Sequence, residues 1–232
     1  MKAGVVCGLV QEGRAFYGKD FSSQPRPFIH LDEEAIWLSV AGIGPERATE
    51  AAQRLVGEGV ACLVSWGTCA GLVEGLKSGT LMLPQAVVSS DGSHFETLRL
   101  ERFSRLSSAR REPLAEAKHV LETTQAKRTL AERTGAVAAD MESGAVARVA
   151  REAGLPFLVV RAVIDPVEQA LPKAVLRLTD AFGRVQWQRL PGVALTHAPT
   201  LWRLGRQSKA AMGTLQAQSL KVRQALAKAA SP

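Results

Sequence analysis

The chain has 232 residues, 46% of them hydrophobic, and a net charge of +7, enough apolar material to fill one substantial core. Its longest uncharged stretch, Gly59 to Val73, falls short of the roughly 20 apolar residues of a spanning helix and contains Ser, Thr and Gly, so no transmembrane segment is expected. Cys7, Cys62 and Cys69 form no C-x-x-C pair and read as small core residues, which excludes a disulfide framework and a thiolate zinc site.

The charge is uneven. From Gly183 to Pro232 there are eight basic residues (Arg184, Arg189, Arg203, Arg206, Lys209, Lys221, Arg223, Lys228) and no acidic ones, so residues 1–182 form a near-neutral body. The expected organisation is a catalytic domain, 1–182, with a basic C-terminal extension, 183–232. The apolar run after Lys2 is too short for a secretory signal and lacks a cleavage site, which predicts a cytoplasmic protein.

Taken in chain order, Ala3–Leu9 and Ala35–Val40 read as strands, and Gly42-Ile43-Gly44-Pro45 opens a helix over Glu46–Glu58. Val60–Trp66 is a third strand, ending in a turn at Gly67-Thr68-Cys69-Ala70-Gly71. Leu81–Val88 reads as a strand, Ser89–Arg111 as a polar loop, Leu114–Arg133 as a helix and Ala136–Ala139 as a short strand. Glu142–Ala153 is a helix ended by Gly154, and Phe157–Val163 a strand running into Ile164-Asp165-Pro166. Pro191 and Pro199 bracket a loop, after which Leu201, Leu204, Ala211, Leu215, Val222 and Leu226 mark an amphipathic basic helix interrupted by Gly205 and Gly213. Continuous apolar strands alternating with helices predict an α/β fold, a single domain with a mainly parallel twisted sheet flanked by helices.

Several motifs fail on spacing. Gly71 to Ser78 resembles a phosphate-binding loop, but Gly75 does not abut Lys77. Gly42-Ile43-Gly44 lacks the third glycine of a dinucleotide fingerprint, and there is no Gly-x-Ser-x-Gly elbow. The four histidines lack ligand spacing, so neither a metal nor a cofactor is expected.

In open α/β sheets ligands lie beyond the carboxyl ends of strands. Glu12, Asp140, Glu142 and Asp165 all follow apolar strands there. The macrodipole of the helix that Glu142 opens would favour its anion, whereas burial at a strand end would raise the pKa of Asp165. Each carboxylate alone is more often a helix cap or a loop charge; the set points to acid and base roles in different environments.

Met1 to Glu12, Ala41-Gly-Ile-Gly44, Val64 to Leu72, Ala139-Asp-Met-Glu-Ser143 and Val159-Val-Arg-Ala-Val-Ile-Asp165 resemble, in order, the motifs of 5′-methylthioadenosine/S-adenosylhomocysteine nucleosidases and purine nucleoside phosphorylases. The resemblance implies cleavage of a purine from ribose. It makes Asp165 the acid toward purine N7, Glu142 the acceptor of the ribose hydroxyls, and Glu12 the residue that activates water. Leu9, Ile43, Gly67, Thr68, Cys69, Ala70, Asp140 and Met141 would line the substrate site; for Leu9, Ile43 and Met141 core packing is an equal alternative. Three departures stand out: Ile164 where the family usually has Ser, so that a hydrogen bond orienting Asp165 must come from elsewhere; Gly-Thr-Cys-Ala-Gly at the turn; and Asp140 for a customary Glu. The adenine-binding loop has no clear counterpart, with Thr123 and Thr124 as weak candidates.

A phosphorylase of this type carries an arginine just before the Gly-rich turn, where this chain has Ser65-Trp66, so water is favoured over phosphate; inorganic phosphate would be the co-substrate otherwise, with Arg14 and Arg47 as candidate ligands. The whole chain is most similar to the hopanoid-associated phosphorylase subgroup, which implies adenosylhopane as substrate. The C-terminal arm, with Trp187 and Trp202, would extend beyond compact members and lie on the inner membrane face. A helix docked on the body is the alternative, with methylthioadenosine or S-adenosylhomocysteine as substrate. A non-catalytic membrane- or nucleic-acid-binding protein is the reading from another class; few aromatics interleave with the basic residues, so no nucleic-acid partner is expected. Family resemblance implies a homo-oligomer, a dimer or larger.

Overall fold

Among the described residues the apolar runs of the sequence assemble into one ten-stranded mixed sheet. The computed structural model describes residues 2–21, 23–24, 28–31, 36–98, 108–186, 188 and 190–229. At its centre β1 (Lys2–Cys7) runs parallel to both β3 (Ile36–Val40) and β4 (Val60–Gly71), and β4 is parallel to β10 (Phe157–Asp165). These strands are apolar on both sides because both faces are covered. Along them, successive residues alternate between two cores: Val5, Val64 and Val160 face one, Val6, Leu63 and Val159 the other.

The first core is closed by α1 (Val10–Tyr17) and α6 (Leu190–Ala229), the second by α2 (Pro45–Gly57) and α4 (Ser143–Glu152). The edge strand β2 (Phe28–Leu31) pairs antiparallel with β3, and β5 (Leu81–Met82) antiparallel with β10. On the far side, β9 (Ala138–Asp140) pairs antiparallel with the last residues of β4, followed by β8 (Leu114–Glu116), β6 (Ala86–Val88) and β7 (His94–Glu96). A third, smaller core lies under α3 (Thr124–Thr134), where Leu130 meets Ala115 and Ala139. The short α5 (Lys173–Leu176) precedes α6.

Several sequence-based expectations need correction. Leu114–Arg133 is not one helix: its first three residues form β8 between β6 and β9, and α3 starts only where the Thr123 hydroxyl caps the Ala126 amide at 3.1 Å. The supposed turn Gly67–Gly71 is strand, because Gly67 to Ala70 continue the pairing with β10, and Ala70 and Gly71 pair with β9. Leu81–Val88 divides into β5 and β6 around Pro84, whose missing N–H breaks a ladder. Leu9 does not end β1 but caps the unpredicted α1, and Ser89–Arg111 contains β7. Ala35, Arg99 to Ser107 and Trp187 lie outside the described residues.

Between Pro191 and Pro199 the chain is helical, with a kink at His197, two residues before the proline that cannot donate to the helix ladder. The apolar stripe anticipated for this helix is buried on the body: Ala211, Leu215, Val222 and Leu226 pack with Phe16 and Trp66. Trp202 and Leu220 remain on the outer side, 66% and 57% exposed. No helix among the described residues is long and apolar enough to cross a membrane.

Candidate active site

Glu12 sits in the first turn of α1, brought there by the β1–α1 junction, and is buried. Its Oε2 accepts the amides of Gly8 (3.1 Å) and Leu9 (3.0 Å), and its Oε1 accepts the Thr68 amide (2.8 Å) and hydroxyl (2.9 Å). Four donors from two strand ends fix one carboxylate. Gly67 makes this possible. With φ of 156°, a Cβ there would lie 2.6 Å from Glu12 Oε1 and 2.5 Å from Arg161 Nη1, so only glycine lets both groups come so close to the backbone.

Arg161 is the residue around which the cluster closes. It lies mid-strand in β10, 1% exposed, in a position where a cation must be paired. Its Nη2 is 2.5 Å from Asp140 Oδ2 and 3.5 Å from Glu142 Oε2, and donates to Ser65 Oγ at 2.6 Å; Nη1 donates to the Thr68 carbonyl at 3.2 Å. Asp140, at the end of β9, also accepts the Ser143 amide at 3.1 Å and the Ser143 hydroxyl. Its carboxylate is thus occupied by Arg161 and Ser143. Burial pushes its pKa up, against the Arg161 charge.

Glu142 caps α4 and accepts the Gly44 amide at 3.1 Å through Oε1. Burial pushes its carboxyl up to about 7, against Arg161 and the Gly44 amide, with Asp140 and Glu12 adding to the rise. The macrodipole expected to hold it as an anion is therefore outweighed by desolvation and by two neighbouring carboxylates.

Asp165 ends β10, opposite Ala70 of β4. It is buried, and burial raises its pKa against the charge of Lys127. Lys127 Nζ, on α3, lies 2.6 Å from Asp165 Oδ2. This supplies the orienting hydrogen bond for which the sequence, with Ile164 before the acid, offered no donor. The Cys69 thiol, also buried, is pushed well up by desolvation.

Leu9 and Ile43 are half-buried beneath residues 181–183: the Ile43 amide donates to the Ala181 carbonyl at 2.7 Å, and Val10 to that of Phe182 at 3.2 Å. Met141 packs against the third core. Thr123 is occupied in capping α3. Arg47 donates to the Ile43 carbonyl at 3.1 Å, and Arg14 is exposed on α1. Arg161, by contrast, already reaches five protein oxygens. Among the described residues no cluster of His, Cys, Asp and Glu could hold a metal ion.

Sequence reasoning overlooked Arg161 and Lys127. Arg161 carried a signal, a charge inside an apolar strand. Lys127 carried none, since a lysine on a helix is ordinarily solvated.

The model of the Phosphorylase superfamily matches residues 4–121 and 112–186. No curated protein sequence matches. The structure is similar to futalosine hydrolase of Helicobacter pylori (18% identity, TM-score 0.68, 97% of this chain and 98% of that one). It is similar also to the 5′-methylthioadenosine/S-adenosylhomocysteine nucleosidase of S. pneumoniae with a transition-state inhibitor (15%, 0.67, all of both chains). A third is an aspartate-to-asparagine variant of the H. pylori nucleosidase with 5′-methylthioadenosine in its active site (16%, 0.64, 93% and 96%). At these identities the likeness is one of fold, and it takes in α6, so the C-terminal segment adds no length beyond these neighbours. With its family model matched over most of its length, the chain belongs to the Phosphorylase superfamily, a family of enzymes.

Proposed function

We propose that this protein hydrolyses the N-glycosidic bond of a purine nucleoside. The observation that carries the reading is the buried assembly at the strand ends: Glu12 held by four donors, Glu142 beside it on Arg161, and Asp165 at the end of β10. Two groups that differ in environment suit opposite roles. Asp165 gives a proton to N7 as the base departs, which makes the purine a better leaving group. Glu142, as its anion, accepts the ribose hydroxyls and opposes the positive charge that develops on the sugar. Glu12 takes a proton from the attacking water. Leu9, Ile43, Met141 and the Gly67–Ala70 backbone border the nucleoside, while Asp140 acts from behind by fixing Arg161. Water is preferred to phosphate because the cations at the carboxylates among the described residues, Arg161 and Lys127, are already bound to protein oxygens.

For the substrate, the sequence resemblance favours adenosylhopane over methylthioadenosine or S-adenosylhomocysteine. One structural feature would leave room for a large substituent. A groove of about 920 Å³ runs between α6, at Arg206, Lys209, Ala210 and Gly213, and the turn at Gly79–Leu81. The Gly79 amide is bound to the Val163 carbonyl, two residues before Asp165. With Trp202 and Leu220 exposed on the same helix, this face suits contact with an anionic bilayer.

The deciding experiment measures adenine release from adenosylhopane in detergent and from methylthioadenosine, each with and without phosphate, with the sugar product followed by mass spectrometry. Release of adenine from the lipid, leaving a lipid-linked ribose with a free anomeric hydroxyl, is the expected result. Preference for the soluble nucleoside removes the lipid reading, a ribose phosphate removes hydrolysis, and release from neither removes the proposed reaction.

A further inference from the structure

Lys127 is a residue the reaction above leaves unused. It occupies the first turn of α3, its side chain is fully buried, and its Nζ has three partners: Asp165 Oδ2 at 2.6 Å, the Pro166 carbonyl at 2.9 Å and the Gln169 carbonyl at 3.0 Å. An ammonium has three N–H donors, and each has one acceptor here. The two carbonyls fold the loop after β10 against the amine, and Gln207 of α6 donates to the Gln169 side chain, so the loop is held from both sides.

An acid that protonates a leaving group must carry its proton before the bond breaks. An ammonium against a carboxylate favours the ionised carboxylate. Burial of both groups works the other way, since a desolvated ion pair lies nearer in energy to the neutral pair than it would in water.

We propose that Lys127 is the positioning residue of Asp165 and the store of the proton that Asp165 delivers. The inference rests on Asp165 being the acid. As the C1′–N9 bond breaks, its electron pair stays with the purine and N7 takes a proton from the Asp165 carboxyl. That carboxyl is formed as a proton crosses the 2.6 Å hydrogen bond from Lys127 Nζ to the Asp165 carboxylate, in the same motion or just before. This leaves Lys127 as the neutral amine and Asp165 as the carboxylate. The proton that Glu12 took from water returns through solvent to reload the pair, and the cycle closes without another reactant. Because the proton resides on an amine, the acid stays loaded well above the range in which a carboxyl would be empty.

The other charged groups on the surrounding elements leave this pair undisturbed. Cys69 of β4 stays a neutral thiol because burial raises it; Asp140 and Glu142 lie on Arg161. Arg128 of α3 pairs with Glu74, and Lys173 of α5 with Glu122. Glu168 lies in the loop after β10.

The test compares the pH dependence of kcat for wild type, Lys127→Met, Lys127→Arg and Asp165→Asn on the nucleoside cleaved best by wild type, with circular dichroism to establish folding. In Lys127→Met, Asp165 must carry its own proton, so the alkaline limb should move down by several pH units. Activity should be about 100-fold or more below wild type at pH 8 and recover to within about tenfold near pH 5.5. Lys127→Arg keeps the charge but cannot release a proton, and should be inactive across the range. A uniform loss in Lys127→Met at all pH values, or a wild-type profile in either variant, overturns the proposal. Full activity in Asp165→Asn overturns the reading on which it rests. A second readout needs no turnover: carbon-13 NMR of the Asp165 carboxyl, assigned against Asp165→Asn, should show it protonated at higher pH in Lys127→Met than in wild type. An unchanged titration means the two groups do not share a proton.

Discussion

Thr68 gives Glu12 two donors at once, its amide 2.8 Å and its hydroxyl 2.9 Å from Oε1, from the strand next to the one that feeds α1. A hydrogen bond to a charged group contributes about 1.5–3 kcal/mol, and about 1.4 kcal/mol is a tenfold change in rate. Thr68→Val, which keeps shape and amide but removes the hydroxyl, should lower kcat by about tenfold or more with KM within about threefold. Thr68→Ser should restore most of the loss, as steady-state kinetics on the cleaved nucleoside would show.

Glu142 links stability to pH. Its carboxyl, raised to about 7 by burial, binds its proton more tightly folded than unfolded. Its favourable contribution is therefore complete below the ordinary carboxylate range and is lost as pH rises through about 7. Glu142→Gln removes that dependence. The variant should be more stable relative to wild type at pH 8 than at pH 4.5, by about 1–3 kcal/mol in urea unfolding, while both kcat and substrate binding fall. The same carboxyl should give wild type an acid limb in kcat/KM near pH 7, absent from the variant.

Gly67 is a contact point between backbone and two charged groups. Gly67→Ala would bring a methyl within 2.6 Å of both Glu12 Oε1 and Arg161 Nη1. One of the two must move, and Arg161 carries Asp140 and Glu142 with it. A loss of about 100-fold or more in kcat is expected together with a lower Tm, by about 2–4 kcal/mol of stability. Unchanged thermal unfolding would show that the cluster has room to relax.

The C-terminal helix separates its two faces by mutation. Leu215 is fully buried against the body, whereas Trp202 is 66% exposed with Arg206 stacked on it. Leu215→Ala should cost about 2–5 kcal/mol of stability, and Trp202→Ala within about 0.5 kcal/mol. If the outer face meets lipid, Trp202→Ala should instead reduce cosedimentation with vesicles rich in anionic phospholipid, measured against neutral ones.

Reading these elements from sequence succeeded where local pattern and tertiary outcome coincide. Ile36–Val40 and Phe157–Val163 are apolar on both faces because helices cover both, and Pro45 opens α2 where a proline needs no N–H partner. It failed where the partner decides. Leu114 to Glu116 can be helix or strand by pattern and is strand because β6 and β9 flank it. Gly67 to Gly71 looks like a turn and is strand because β10 and β9 supply the hydrogen bonds.

The sequence by itself determined that the chain is an α/β protein, that Glu12, Glu142 and Asp165 stand at the carboxyl ends of strands, and which family its motifs resemble, since each depends on residues close together in the chain. Only the tertiary structure decided that Arg161 gathers Asp140 and Glu142, that the apolar stripe of α6 faces the body, and that Lys127 meets Asp165 across 38 residues of sequence. Burial and the pairing of opposite charges at a few ångströms arise between segments distant in the chain. Local periodicity does not record them.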